Sequence, residues 1–328
     1  GAILALEKLN HLGADGVTAE TPLRIDAAGP GQVGVIDDLS APTQRPSIGH
    51  YLHKLFVVSD NDAYNRLYEF VGQQELNEGL WRHGCADARL THRLSVALTP
   101  EQNRRTNAFA FYDMGTGQVL YEQPAAHHMT AISASAPILL GRAHVVDDVL
   151  VEQPLDFAGK NMMSVRVLQD LLRTLLFPES LPPAQRFDLR PTDQDRLLRA
   201  LSVLPRESTH PRYADERRRS DGSGKFFILG DGRERLPEDV RIFNKVGGAY
   251  GFLVDNAYIV DRAAGVEFLL TATLYVNANG VLNDNHYDYD RLGLPFLGEL
   301  GRVVLEHERH RARSQRPNLA RFKPYFPK

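Results

Sequence analysis

Ser59, Asp60 and Asn61 lie where two apolar-patterned stretches meet, in the run Phe56-Val57-Val58-Ser59-Asp60-Asn61-Asp62-Ala63-Tyr64-Asn65. A serine hydroxyl both donates and accepts, and an asparagine amide offers a donor and an acceptor without charge. Together they could pass a proton and hold a polar group. Far downstream, Asn244-Lys245-Val246-Gly247-Gly248-Ala249-Tyr250-Gly251 sets a lysine ahead of two glycines. A nearby cation lowers the cost of alkoxide character, and glycines let a backbone approach a bound molecule closely. These groups suit acyl transfer, which needs a nucleophile, a base, a proton path to the leaving group and donors for an oxyanion. Each signal alone has a plainer reading. Ser-Asp-Asn commonly caps a helix, here with Asn61 or Asp62 as the cap, and a lysine before two glycines is usually a solvated turn.

The elements that must position these residues follow from periodicity and punctuation. The chain opens with an apolar helical stretch, Gly1 to Asn10, that lacks an N-cap residue. Residues 15–44 are rich in turn formers, with Thr21 to Ile25 as the best strand. From Pro46-Ser47, Ile48, Tyr51, Leu52, Leu55 and Phe56 recur at helical spacing. A second helix over Asp62 to Val71 should stop at Gly72, and a third, Glu75 to His83, at Gly84. Leu98 to Gln123 reads as loop and short strands. Helices are expected over Asn161 to Leu176 and Thr192 to Leu204. His210 to Glu238 is polar and charged and reads as a mobile surface insertion. Gly251 to Val260 and Val266 to Tyr275, joined by residues 261–265, form an antiparallel hairpin. A last helix, Leu294 to about Arg311, should turn Phe296, Leu297, Leu300, Val303, Val304 and Leu305 inward.

In their longer forms, Ser-Asp-Asn-x-Ala-x-Asn and Lys-x-Gly-x-Ala-Tyr-Gly, the two motifs resemble signature elements of the penicillin-recognising serine hydrolases, the class A β-lactamases and penicillin-binding proteins. The resemblance spans most of the chain and is weakest over residues 141–240. It implies an α+β fold: an antiparallel sheet flanked by helices plus an all-helical lobe, with the site in the cleft between them. Residues 1–328 would form a single unit, with the helical lobe over about 10–240 (an insertion at about 205–240) and the sheet lobe over about 241–328 plus the N-terminal region. By the same resemblance Ser59 relays a proton rather than attacking. Asn61 offers its amide to substrate, and Lys245 places a cation near Ser59. Gly247 and Gly248 admit the substrate, and the Ala249 N–H is an oxyanion donor. The family's third element, the Ser-x-x-Lys that supplies the nucleophile, is absent: none of the seven lysines has a serine three places before it. The resemblance would put that serine roughly eight residues before Gly1, in the same helix. The other reading is an ordinary N-terminal helix of a relative that lacks the serine.

Two departures bear on substrate. Val246 stands where the family usually has Thr or Ser to bind a substrate carboxylate. Losing such a contact removes roughly 1.5–3 kcal/mol, which argues against efficient β-lactam hydrolysis. For the deacylating base, Arg89 to Arg93 resembles the start of the family's loop, and Glu101 and Asn103 are the candidates beyond it. Their spacing fits the family pattern poorly. Glu101 could equally be a first-turn helix charge after Pro100.

Composition bounds the rest. With 328 residues, 43% of them hydrophobic, there is material for a buried core. A net charge of −3 gives no basic field for nucleic acid, and no apolar run approaches the roughly 18 residues of a membrane span. The single cysteine, Cys85, excludes an internal disulfide and a Cys-based metal site. Gly29 to Gly34 matches a dinucleotide fingerprint in letters, but no helix pattern follows it. Asp284 to Asp290 lacks the glycine and glutamate of a calcium loop. No cofactor or metal is expected. The partner is a small-molecule or peptide substrate, and the family resemblance implies export to the periplasm or cell surface. The leading reading is a serine acyl hydrolase acting on an ester, amide or peptide. Against it stand a non-catalytic relative that binds peptidoglycan-like or peptide ligands in the same cleft, and a helical interaction scaffold.

Overall fold

The computed structural model describes residues 1–327 apart from 134, 216–219 and 233. Helix α1 (Ala2–His11) buries Leu4, Ala5, Leu6 and Leu9 against α2 (Ile48–Val58) and α3 (Asn61–Val71). The Ser47 hydroxyl opens α2 by accepting from the His50 N–H, which satisfies one of the four orphan donors of the first turn. Gly72, at φ 91°, ends α3 and starts α4 (Gln73–Arg82). A one-turn α5 (Pro100–Asn103) follows, with Thr99 and Gln102 forming a capping box. Strand β1 (Leu23–Asp26) pairs antiparallel with β2 (Ala108–Tyr112), which pairs with β3 (Val119–Gln123). The small strands β4 (Leu139–Leu140), β5 (Ala143–Val146), β6 (Val149–Val151) and β7 (Leu155–Asp156) make up an arm beyond them.

Helices α6 (Val165–Leu176) and α7 (Pro191–Ser202) lead to the main sheet. There β8 (Val240–Ala249), β9 (Phe252–Asp261) and β10 (Val266–Tyr275) run antiparallel in the order β10-β9-β8. A short β11 (Val281–Leu282) then adds to β5 in parallel. The expected hairpin is present, preceded by a third strand over the lysine–glycine motif. Because side chains alternate along a strand, the sheet has two apolar faces. Phe243, Tyr258 and Val260 join the core of α1, α2, α3, α6 and α7. Ile242, Ala257 and Ile259 join Leu297 and Leu305 of the closing helix α8 (Leu294–His310). The fold is therefore α+β, an antiparallel sheet with helices on both faces and a helical lobe beside it.

Two local expectations are corrected. Phe296 and Val303 of α8 are exposed, at 53% and 56%, because the helix seats itself on its small residues. A Cβ at Gly301 would lie 2.4 Å from the Ile228 nitrogen, so this face approaches the backbone of the 226–229 turn too closely for a larger side chain. The described part of 210–238 is not a loose insertion. Phe227, Ile228 and Leu229 are core residues, and Asp221 accepts from Arg206 and from the Leu236 N–H. Residues 216–219 and 233 of that expected insertion lie outside the described residues.

Candidate active site

Ser59 leaves α2 in the left-handed region, at φ 57° and ψ 44°. A residue without glycine's freedom pays for that conformation, and such strain is found where a side chain must be aimed. Asp60, rather than Asn61 or Asp62, caps α3, its carboxylate accepting from the Ala63 N–H at 2.9 Å. Asn61 is therefore free of capping duty. Its Nδ2 donates instead to Ser95 Oγ at 2.7 Å. One turn on, Asn65 clamps Leu94 by both backbone groups, at 2.7 and 2.9 Å.

Lys245 reaches this turn from β8. It follows Asn244 by one position, so the two side chains leave the sheet on opposite faces, Lys245 on the face of Phe243 and the helical lobe. Its Nζ donates to Ser59 Oγ at 2.6 Å and to the Val246 carbonyl at 2.5 Å. Burial pulls the ammonium down to about 8, partly opposed by the charge of Asp255. The Ser59 oxygen accepts from Lys245, which leaves the serine's own hydrogen to point elsewhere.

Strand β8 is an edge strand, and its register decides which amides face outward. Ala249 pairs with Phe252 across a two-residue turn in which Tyr250 and Gly251 both have positive φ, 54° and 85°. In such a turn the closing pair exchanges its hydrogen bonds, and bonded positions alternate along the ladder. Ala249, Gly247 and Lys245 therefore point their N–H groups at β9, and Gly248 and Val246 point theirs outward. The Val246 carbonyl, taken by the Lys245 ammonium, shows the same outward sense. The outward amide nearest the cleft is thus that of Gly248, not that of Ala249 expected from the sequence.

Beside this turn lies a cleft of about 710 Å³. Asn61, Asn103, Gly248, Ala249 and Tyr250 line it, together with residues 91–98 and, from the far wall, Asp156 and Lys160. The 91–98 wall is held by a buried ion pair between Arg93 and Glu69 at 2.9 Å. Asn103 is a brace of the same loop. Its Oδ1 accepts from the Arg93 N–H at 2.9 Å and its Nδ2 donates to the Leu98 and Thr99 carbonyls. Only 3% exposed, it has little left to offer a substrate. Glu101 lies outside the cleft lining, on the solvent side of α5, paired with Arg105 at 2.6 Å. That pairing holds its carboxyl below the ordinary range. A base for water needs a carboxylate that faces the cleft, and this one does not.

Two site residues carried no signal in the sequence. Ser95 and Asn161 belong to no motif, yet Asn161 Oδ1 accepts from the Thr91 and His92 N–H groups at 2.7 and 3.1 Å, fastening the far wall to the near one. No group of His, Cys, Asp and Glu among the described residues could hold a metal ion. None of the described helices is long and apolar enough to cross a membrane.

Residues 2–134, which include Ser59 to Asn65 and the loop from Arg89 to Asn107, match the Beta-lactamase enzyme family. The family-level resemblance read from the motifs is thereby supported; Lys245 lies outside the matched segment. Among solved structures, the chain is similar to a β-lactamase from Sphaerobacter thermophilus DSM 20745 at 15% identity and a TM-score of 0.47, covering 94% of this chain and 80% of that one. It is similar to a β-lactamase from Burkholderia phymatum at 13% identity and a TM-score of 0.47, covering 93% and 81%. A third is PBP-A in an acyl-enzyme complex with penicillin G, at 14% identity and a TM-score of 0.46, covering 93% and 79%. No curated protein matches the chain.

Proposed function

We propose, from the match of this chain to the β-lactamase enzyme family over residues 2–134, that the cleft beside Ser59 performs serine acyl transfer on an ester, amide or peptide. The nucleophile would come from a Ser-x-x-Lys element, which these 328 residues do not contain. The observation that carries the reading is the Ser59–Lys245 contact, made across 186 positions by a lysine held at about 8.

The roles follow from that contact. A lysine near 8 is mostly charged at neutral pH yet close enough to exchange a proton. Lys245 keeps the Ser59 oxygen occupied, so the serine hydrogen is the one passed to a leaving group, and Lys245 replaces it. Asn61, held by Ser95, offers its amide to substrate. Gly248 supplies one oxyanion donor from the edge of β8. The Val246 side chain has no donor, which favours an ester, amide or peptide over a β-lactam antibiotic. Members of this family are typically exported, and we place this chain in the periplasm or at the cell surface.

The test is acylation of a gene product that carries the upstream element. A fluorophosphonate should leave one adduct on that serine, located by peptide mass. An upstream sequence without the serine, or no adduct when it is present, would sink the hydrolase reading. It would leave a non-catalytic relative that binds peptide-like ligands in the same cleft.

A further inference from the structure

We infer that Lys160 is the specificity-determining residue of the cleft, where it binds an anionic group, a carboxylate, of the substrate. This rests on the reading of the Asn61–Gly248 cleft as the substrate site.

Two residues of fixed positive charge line the cleft among the described residues. Arg93 is buried and neutralised by Glu69 at 2.9 Å. Lys160 is half-buried and meets no carboxylate of the described residues. Its ammonium donates to the Tyr250 hydroxyl at 3.1 Å and lies 5.2 Å from the centre of the Tyr250 ring. Both contacts are neutral, so two N–H bonds and the whole charge remain for a ligand. Asp156 lines the same wall, but its Oδ1 accepts from the Ile138 and Ala158 N–H groups, and it forms no ion pair with Lys160.

The lysine is held in place from both sides. Asn161, next in the chain, makes five bonds to Thr91 and His92. Tyr250 is fixed in the β8–β9 turn at φ 54°, and Phe157 packs edge-on against its ring at 5.2 Å. A side chain fixed in this way loses little freedom when a ligand arrives. The charge also reaches His92. Burial is the main cause that holds this imidazole below its ordinary value, the bond to the Arg93 carbonyl opposes it, and Lys160 adds to the lowering.

The opposite wall has the other character. Leu94, Val96, Ala97, Leu98 and Pro100 line it, and Val96 is 49% exposed. A cation on one side and an apolar strip on the other fit an amphipathic ligand: a carboxylate against Lys160 and an apolar group against residues 94–98. The Val246 side chain, on β8, carries no donor that could take the carboxylate instead.

The experiment is equilibrium titration of the chain as it stands with dansyl-alanyl-alanine and, separately, with its carboxamide. The free acid should bind about tenfold or more tightly than the amide. Lys160→Ala should abolish that ratio, chiefly by weakening the acid, and Lys160→Arg should restore most of it. Lys160→Glu should invert the preference. Equal binding of acid and amide by the unaltered protein, an acid preference that survives Lys160→Ala, or binding of neither probe would each overturn the assignment. Circular dichroism on each variant separates lost binding from lost fold, and the arginine variant keeps the test informative if the alanine variant unfolds. Titration reads non-covalent binding, so its failure is distinguishable from a failure of the acylation test.

Discussion

Lys225 and Lys245 serve opposite faces of one strand, and their difference separates a clamp from the proposed proton donor. Burial lowers both, Lys225 to about 7 and Lys245 to about 8. Lys225 is 1% exposed and donates to Asn244 Oδ1 at 2.6 Å and the Leu201 carbonyl at 2.7 Å. Through Asn244 it joins Asp255, whose carboxylate accepts from the Phe226 and Phe227 N–H groups at 3.0 Å each and from Asn244 Nδ2 at 2.8 Å. This network pins the 226–229 turn to the sheet. Lys245 has a hydroxyl and a carbonyl as partners and no carboxylate. A buried charge with its counter-charge in the same network is structure, whereas one whose partner is a serine beside a cleft is available for proton transfer.

The largest effect expected from this contrast is on stability. Asp255→Ala should cost about 3–5 kcal/mol, because it strands a buried lysine and orphans three donors. The urea midpoint reads it, and a loss under about 1 kcal/mol would show that the network is no clamp. Lys245→Met should cost far less, since it also removes a poorly paired charge from a buried site.

Next comes the reaction. In a gene product that carries the nucleophile, Ser59→Ala should slow leaving-group release about a hundredfold while leaving the thermal midpoint nearly unchanged. Equal rates in the two proteins would remove Ser59 from the proton path. A smaller loss is expected for Glu69→Gln, about 2 kcal/mol, because it weakens the ion pair that holds Arg93. Faster proteolysis within residues 89–107 would locate the damage in the near wall of the cleft.

The effect most specific to Lys245 is on the pH dependence of stability. Native Lys245, near 8, gives up its proton before the same residue does in the unfolded chain, near 10.4. Above about pH 8 the unfolded state therefore binds more protons, and stability from this residue rises with pH up to about 10.5. Subtracting the pH profile of Lys245→Met from that of the unaltered protein isolates the rise. A flat difference would mean that the ammonium is not desolvated.

Much of the positioning frame was legible in the residues. Ser47 before an apolar repeat and Gly72 after one set the limits of α2 and α3 because caps and periodicity are local properties. The same locality failed where composition misled. The charged stretch around Lys225 looked like a solvated loop, since nothing in a linear reading shows that Lys225, Asn244 and Asp255 satisfy one another inside the fold. Phe296 and Val303 read as inward because they are apolar, yet α8 is seated by its glycines. Glu101 had the right residue type for a base, and only the direction of its helix turn took it out of the cleft.

By itself, then, the sequence determined the helices around Ser59, the β9–β10 hairpin and, through paired motifs, a resemblance to a family and the residue types of its chemistry. Tertiary structure alone decided that Gly248 rather than Ala249 faces outward, that Asn61 is held by Ser95, and that Lys160 stands across the cleft without a counter-charge among the described residues. The reason is physical. Caps, turns and periodicity act over a few residues, whereas strand register, burial and charge pairing are set by groups brought together from distant parts of the chain.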